Sequence, residues 1–151
     1  MRMSVTVDAS VFVNALSPDE DGSDQSSGFI SQLKQDGVAF IQPTLFIPEV
    51  VASIARKQES AEIGIEILHE LRKIPKLSLV DLDDDFVDSV SEVAANSRLR
   101  GSDAVYAAVA LTCGLALPPV SASSRVVWGR MLDAAAFGRI VTLDASLQEL
   151  A

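Results

Sequence analysis

The sequence predicts an α/β domain of three layers, with a central parallel sheet between helices on both faces. Short runs rich in Val, Ile and Leu alternate along the chain with longer segments of helical hydrophobic spacing. This order is typical of parallel strands joined by helical crossovers. A length of 151 residues with 48% hydrophobic content is sufficient for one domain with its own core. We therefore expect a single domain over residues 1–151.

Five strands are predicted from their composition and from the turn signals that bound them. They cover residues 4–7, 38–41, 77–80, 115–117 and 140–143. The helices between them are expected to use Ser10, Thr44 and Ser102 as N-caps, because short hydroxyl side chains accept from the free amides of a first turn. A polar loop is expected over residues 17–27, before a helix over residues 27–35, and an amphipathic helix over residues 60–73.

Composition excludes several classes of function. The net charge of −9 argues against a broad basic surface for nucleic acid, but it leaves metal-mediated phosphate chemistry open. A single histidine, His69, permits no Ser-His-Asp triad, and no glycine-rich phosphate loop is present. One cysteine, Cys113, forms no internal disulfide and suits a buried position in a reducing compartment. With neither an export signal nor a membrane-length apolar run, we expect a cytoplasmic protein.

Acidic residues occur near the predicted carboxyl ends of strands, where α/β proteins bind their ligands. Asp8 and Asp144 directly follow predicted strands, and Glu49 and Asp103 lie in the first turns of predicted helices. Because parallel strands present their carboxyl ends at one sheet edge, we expect these four carboxylates to meet there.

Each acid also has an ordinary structural interpretation. Asp8 suits a turn or cap, and Asp103 suits any helix N-terminus. Glu49 lies in an apolar helix, so its carboxylate either is buried and needs a partner or points outward as a first-turn acid. Arg98 and Arg100, just before Asp103, either meet phosphates or are simply solvated.

Four carboxylates converging without a matching group of Lys or Arg would repel one another. Mg²⁺ and Mn²⁺ relieve such repulsion, since both prefer hard oxygen ligands. These ions also activate water and stabilise the oxygens of a phosphodiester during hydrolysis. The acids therefore indicate a divalent-metal site suited to phosphate chemistry.

Four motifs follow one another along the chain: Val7-Asp8-Ala9-Ser10-Val11, Pro43-x-Leu45-x-x-x-Glu49-Val50, Ser102-Asp103-Ala104-Val105-Tyr106-Ala107-Ala108 and Val141-Thr142-Leu143-Asp144. In this order they resemble the motifs of PIN domains, and most closely those of the VapC toxins of toxin–antitoxin pairs. The resemblance covers nearly the whole chain. It implies a PIN-like, Rossmann-like α/β fold and a Mg²⁺- or Mn²⁺-dependent ribonuclease that cleaves RNA, often as a homodimer, and is inhibited by a VapB-like antitoxin.

The resemblance also implies roles for individual residues. Asp8, Glu49 and Asp103 would be the main metal ligands, and Asp144 would bind a second metal or position water. Ser10 and Thr142 would orient ligands or water through hydrogen bonds. Arg98 and Arg100 are candidates for contact with RNA.

The chain departs from the family pattern between its third and fourth motifs. Asp103 and Asp144 lie 41 positions apart, which is longer than the pattern expects. We interpret residues 118–138 as an insert that covers the site, extends a dimer surface or contacts the antitoxin. Two other functions compete with the toxin interpretation: a catalytically silent PIN-like module that binds RNA or protein, and a phosphatase. The phosphatase would need a second Asp at position 10, where Ser10 stands instead.

Overall fold

A three-stranded parallel sheet forms the centre of the structure, a computed structural model that describes residues 4–113. Its strands are β1 (Ser4–Val5), β2 (Ala39–Pro43) and β3 (Leu77–Val80), in the order β1-β2-β3. Val5 pairs with Phe40, and Phe40 pairs in turn with Leu77, so β2 is the middle strand. The predicted parallel sheet is confirmed for these strands.

Six helices accompany the sheet within the described residues. They are α1 (Ala9–Ala15), α2 (Ser23–Gln35), α3 (Phe46–Lys57), α4 (Ala61–Arg72), α5 (Asp84–Ser97) and α6 (Gly101–Cys113). Helices follow each strand in the manner expected of parallel crossovers. The architecture agrees with a three-layer α/β/α fold, which confirms the predicted fold class.

Aromatic side chains join the middle strand to the helices beside it. The Phe12 ring of α1 contacts Phe40 of β2 and Phe46 of α3 edge-on, with centroid distances of 5.9 and 4.8 Å. Phe40 and Phe46 are both fully buried. Edge-to-face packing of buried rings adds to the burial of their apolar area, so this cluster fixes α1 and α3 against β2.

Helix α4 packs closely against α3 at Gly64. Gly64 is buried on α4, and a Cβ atom built there would stand 2.9 Å from the Cβ of Ala55 on α3. Real Cβ atoms do not approach so closely. The absence of a side chain at Gly64 therefore sets the spacing of the two helices.

Three predicted N-caps were wrong by one or two residues. α1 begins at Ala9 and is capped by Asp8, not Ser10, because Oδ2 of Asp8 accepts from the Ser10 amide. α3 begins after Leu45, with no side-chain cap from Thr44. α6 begins at Gly101 instead of after Ser102, since the Ala104 amide already donates to the Arg100 carbonyl.

Helix α2 starts at Ser23, inside the segment predicted as a loop. Its first turn is held by polar contacts that hydrophobic spacing does not reveal. The Ser26 hydroxyl donates to Oδ1 of Asn14 on α1 at 2.7 Å, and the Asn14 amide donates to the Asp21 carbonyl at 3.1 Å. The segment between α1 and α2 is therefore limited to residues 16–22, and it ends at Gly22, which has a left-handed φ of 80°.

β1 is shorter than predicted because side chains replace its backbone ladder after Val5. The Thr6 hydroxyl donates to the Ile41 carbonyl at 2.7 Å, and the Val7 amide donates to Oε1 of Gln42 at 3.2 Å. β2 begins one residue later and ends two residues later than the predicted strand over residues 38–41, whereas β3 matches its predicted bounds. The predicted strands at 115–117 and 140–143 and the insert at 118–138 lie outside the described residues. Among the described helices, none has the length and apolarity needed to cross a membrane.

Candidate functional site

Two of the predicted acids lie at the carboxyl edge of the sheet, and a third stands at the start of a neighbouring helix. Asp8 follows β1 and caps α1, and Glu49 lies in the first turn of α3, which follows β2. Asp103 lies in the first turn of α6, a helix that packs against β2. Because β1 and β2 are parallel, their carboxyl ends carry Asp8 and Glu49 to the same side.

The electrostatics of Glu49 connect it to the two other acids. Burial raises the pKa of the Glu49 carboxyl above its ordinary value, and the charges of Asp8 and Asp103 raise it further. A hydrogen bond from Tyr106 opposes these effects. Glu49 is therefore not an outward-pointing first-turn acid, because its carboxylate is partly buried within reach of two other charges.

Tyr106 is the partner that Glu49 needs. Its hydroxyl donates to Oε2 of Glu49 at 2.6 Å, and only 1% of its surface is exposed. Burial raises the pKa of Tyr106 far above its ordinary value. The hydrogen bond to Glu49 and the charges of Glu49 and Asp8 raise this pKa further, whereas a hydrogen bond with the Ala9 backbone lowers it. The phenol thus stays protonated and acts as a donor at the junction of α6, α3 and the start of α1.

Asp8 combines a structural role with its place at the site. Oδ2 of Asp8 accepts from the Ser10 amide at 3.0 Å and also from the Ser10 hydroxyl. The capping interpretation of Asp8 is therefore correct, and Ser10 is the residue that holds this carboxylate. Its charge nevertheless acts on both Glu49 and Tyr106.

Asp103 is paired with an arginine of its own helix start. Nε of Arg100 lies 3.1 Å from Oδ2 of Asp103. The Arg100 side chain is 82% exposed, whereas that of Asp103 is 17% exposed. Arg98 is also exposed, at the end of α5, and forms no ion pair among residues 4–113. Both arginines are exposed, but only Arg100 has an acidic partner among residues 4–113.

Gln42, like Tyr106, has a role that the sequence did not predict. Its side chain is fully buried, and its Oε1 accepts from the amide of Val7, the residue before Asp8. Nε2 has no hydrogen-bond partner in the part of the chain that the structure describes. The available signal was a polar residue between Ile41, the last residue of the predicted strand, and Pro43, since a polar side chain that becomes buried requires a partner.

The acidic loop before α2 does not border the site. Glu20 forms an ion pair with Lys57 at the last residue of α3, and this contact lowers the pKa of Glu20. Glu49 lies in the first turn of the same helix, about 12 Å away along its axis. The loop therefore lies at the other end of α3.

Within residues 4–113, no group of three or more His, Cys, Asp or Glu side chains forms a ready-made metal site. His69 is exposed on α4, as expected of a surface residue. The predicted residues Thr142 and Asp144 lie outside the described residues. Asp8, Glu49 and Asp103 are related through the charges of Asp8 and Asp103, which act on Glu49.

Similarity over most of the chain decides the family. The family model described as PIN domain matches residues 5–117, about three quarters of the chain. The chain belongs to the PIN domain family. The matched range includes the first three motifs of this PIN domain and ends before the predicted insert and before Asp144. No curated protein shows significant similarity to the chain.

Membership of this family has a general consequence for function. The PIN domain is a nuclease fold, and PIN nucleases typically use divalent metal ions. The carboxylates at the sheet edge of this PIN domain provide the oxygen ligands that such ions prefer. The chain is thus a nuclease in this broad sense.

Proposed function

We propose that this PIN domain is a Mg²⁺- or Mn²⁺-dependent endoribonuclease and the toxin of a VapBC-type toxin–antitoxin pair. The observation that supports the activity is the shift at Glu49, where the charges of Asp8 and Asp103 act on one partly buried carboxylate. Three acids from separate parts of the chain within electrostatic reach are costly to a fold. A shared cation would offset the repulsion between these carboxylates.

The chemistry of these side chains fits a divalent ion. Asp8, Glu49 and Asp103 offer carboxylate oxygens, the hard ligands that Mg²⁺ and Mn²⁺ prefer. We assign these three residues as ligands, with Asp144 as a fourth and Thr142 orienting water or a ligand. When bound, the ion supplies activated water and stabilises charge on the phosphodiester.

The residues around the acids act by holding them in place. Tyr106 donates to Oε2 of Glu49 and so restricts the rotation of this carboxylate. Ser10 does the same for Asp8 through its amide and hydroxyl. Such partners limit the rotation of a ligand and so lower the cost of assembling a site.

The experiment is cleavage of single-stranded RNA with Mn²⁺ by Asp8→Asn and Asp103→Asn variants. Asparagine caps helices as well as aspartate does, so Asp8→Asn preserves the start of α1 while removing a charged ligand. We expect both variants to lose cleavage by at least about a hundredfold and chelator to stop the wild type. Asp24→Asn is the matched control, because Asp24 is an exposed first-turn acid of α2. Full activity of either site variant would remove that residue from the mechanism.

The structural roles of two acids favour one alternative function. Asp8 caps α1 and Asp103 pairs with Arg100, as they would in a module that binds RNA or protein without cutting. The same assay separates the two functions: RNA that is bound by the wild type with Mn²⁺ but remains intact indicates the silent module.

The toxin role and its partners need a test in cells. We expect expression of the chain to arrest growth, and Asp103→Asn to abolish the arrest. Co-expression of a short reading frame adjoining the gene is expected to restore growth if it encodes the VapB-like antitoxin. Light scattering of the purified chain tests the proposed homodimer.

A further inference from the structure

Each of the three described acids has a different kind of partner within the chain. Asp8 accepts from Ser10, and Glu49 accepts from the buried phenol of Tyr106. Asp103 instead faces the Arg100 guanidinium, at 3.1 Å. Among the partners of these acids in residues 4–113, Arg100 alone carries a positive charge.

The ion pair of Arg100 differs from the other contacts in how easily it breaks. The Tyr106 ring is enclosed by the core, whereas 82% of the Arg100 side chain is in solvent. Exposed pairs of this kind contribute little to stability, and long arginine side chains readily adopt other rotamers. The guanidinium can therefore leave Asp103 without disturbing α6.

Leaving Asp103 places a positive charge beside the site. Arg100 precedes α6 by one residue, so its movable side chain remains anchored next to the carboxylates. A planar guanidinium is well suited to phosphate oxygens. The same residue can thus neutralise Asp103 at one stage and contact a phosphate at another.

We propose that Arg100 is an exchangeable counter-ion of the acidic site. It pairs with Asp103 while no divalent ion is bound, competes with that ion, and turns to a phosphate of the RNA when the ion displaces it. This inference rests on the proposed function of Asp8, Glu49 and Asp103. Metal binding to Asp103 must break the Arg100–Asp103 ion pair. The free energy that this pair contributes to the metal-free protein therefore reduces the binding free energy of the metal by the same amount.

Direct titration with Mn²⁺ in the absence of RNA tests the competition. Arg100→Gln is expected to bind Mn²⁺ about two- to fivefold more tightly than the wild type, the range that an exposed ion pair permits. Arg98→Gln is the matched control for metal affinity, since it makes the same charge change two residues away with no ion pair to Asp103. Unchanged Mn²⁺ affinity in Arg100→Gln, or an equal gain in both variants, would overturn the proposal.

The second half of the proposal is tested with RNA at saturating Mn²⁺. We expect Arg100→Gln to weaken RNA affinity and to reduce the slope of log affinity against log salt by about 0.7, the loss of one phosphate contact on a single strand. An unchanged slope would overturn the transfer to phosphate. If the wild type binds no Mn²⁺ at all, the proposed nuclease function fails first, and that result differs from metal binding that is insensitive to Arg100.

Discussion

The hydroxyl of Tyr106 donates to Oε2 of Glu49 at 2.6 Å and so joins α6 to α3 at the carboxyl edge of the sheet. Tyr106 lies three residues after Asp103 on α6, which places the two on neighbouring turns of one helix face. One helix therefore carries both an acid of the site and the donor that holds a second acid. The position of Glu49 depends on a residue that never needs to touch a substrate.

Tyr106→Phe is expected to keep the fold and weaken the site. The phenyl ring preserves the packing, but Glu49 loses its donor, and removing such outer partners typically costs about ten- to a hundredfold in metal affinity or activity. Mn²⁺ titration and RNA cleavage measure the loss, and circular dichroism checks the fold. Cleavage and Mn²⁺ affinity equal to those of the wild type would show that the hydrogen bond is dispensable.

Glu49→Gln is expected to stabilise the metal-free protein at neutral pH. The pKa of Glu49 is raised by burial and by Asp8 and Asp103, so the folded state binds this proton more tightly than the unfolded state. The contribution of Glu49 to stability is then complete below its unfolded value, near 4.5, and is lost as pH rises through the folded value. Glutamine keeps an acceptor for Tyr106 without the charge.

Urea unfolding with chelator between pH 4 and pH 8 measures this difference. The difference in the free energy of unfolding between Glu49→Gln and the wild type should be close to zero at the acidic end of that window and should increase with pH. A constant difference at all pH values would mean that the carboxylate titrates normally in the folded protein.

Mn²⁺ is expected to stabilise the fold when it binds the acids. Binding to the folded state alone adds about 2.7 kcal/mol to the free energy of unfolding at a hundred times Kd. Chelator should remove this gain, and Asp103→Asn should reduce it strongly, whereas Asp24→Asn should retain it. Thermal unfolding with and without Mn²⁺ provides the measurement, and an identical gain in the Asp103 variant would contradict the ligand assignment.

Two glycine substitutions are expected to have opposite effects. Gly64→Ala places a Cβ 2.9 Å from that of Ala55 and should destabilise the protein by about 1–3 kcal/mol, because α3 and α4 must move apart. Gly28→Ala on the exposed face of α2 meets nothing within 4 Å and should stabilise it by about 0.5–1 kcal/mol. Chemical denaturation measures both. Equal stability of the two variants would show that the helices accommodate the methyl group.

The sequence predicted the parts of this domain that follow from strong local signals. β3 and the α/β alternation followed from hydrophobic spacing. Strand direction placed Asp8 at the carboxyl edge of the sheet, and the predicted start of its helix placed Glu49 near the same edge. Helix starts were less accurate, because neighbouring polar side chains compete for the same free amides. At α1, Asp8 and Ser10 were both candidates, and the carboxylate caps the helix.

Tyr106 and Gln42 were missed for a different reason. Both lie in segments whose apolar neighbours suggested an ordinary core, and their partners Glu49 and Val7 are 57 and 35 residues away. Pairing at such distances depends on how strands and helices are stacked, which local patterns do not contain. A hydroxyl or amide in an apolar segment indicates that a hydrogen-bond partner is needed. Only the fold shows which residue that partner is.

The double use of the Asp8 carboxylate couples the site to the start of α1. Its Oδ2 accepts from the Ser10 amide, while its charge acts on Glu49. If a bound cation draws Oδ2 of Asp8 away, the Ser10 amide loses its acceptor and is open to solvent. If the cation binds without breaking this hydrogen bond, it shields the amide from solvent. Hydrogen exchange at the single amide of Ser10 would therefore report ion occupancy in this domain without RNA and without turnover.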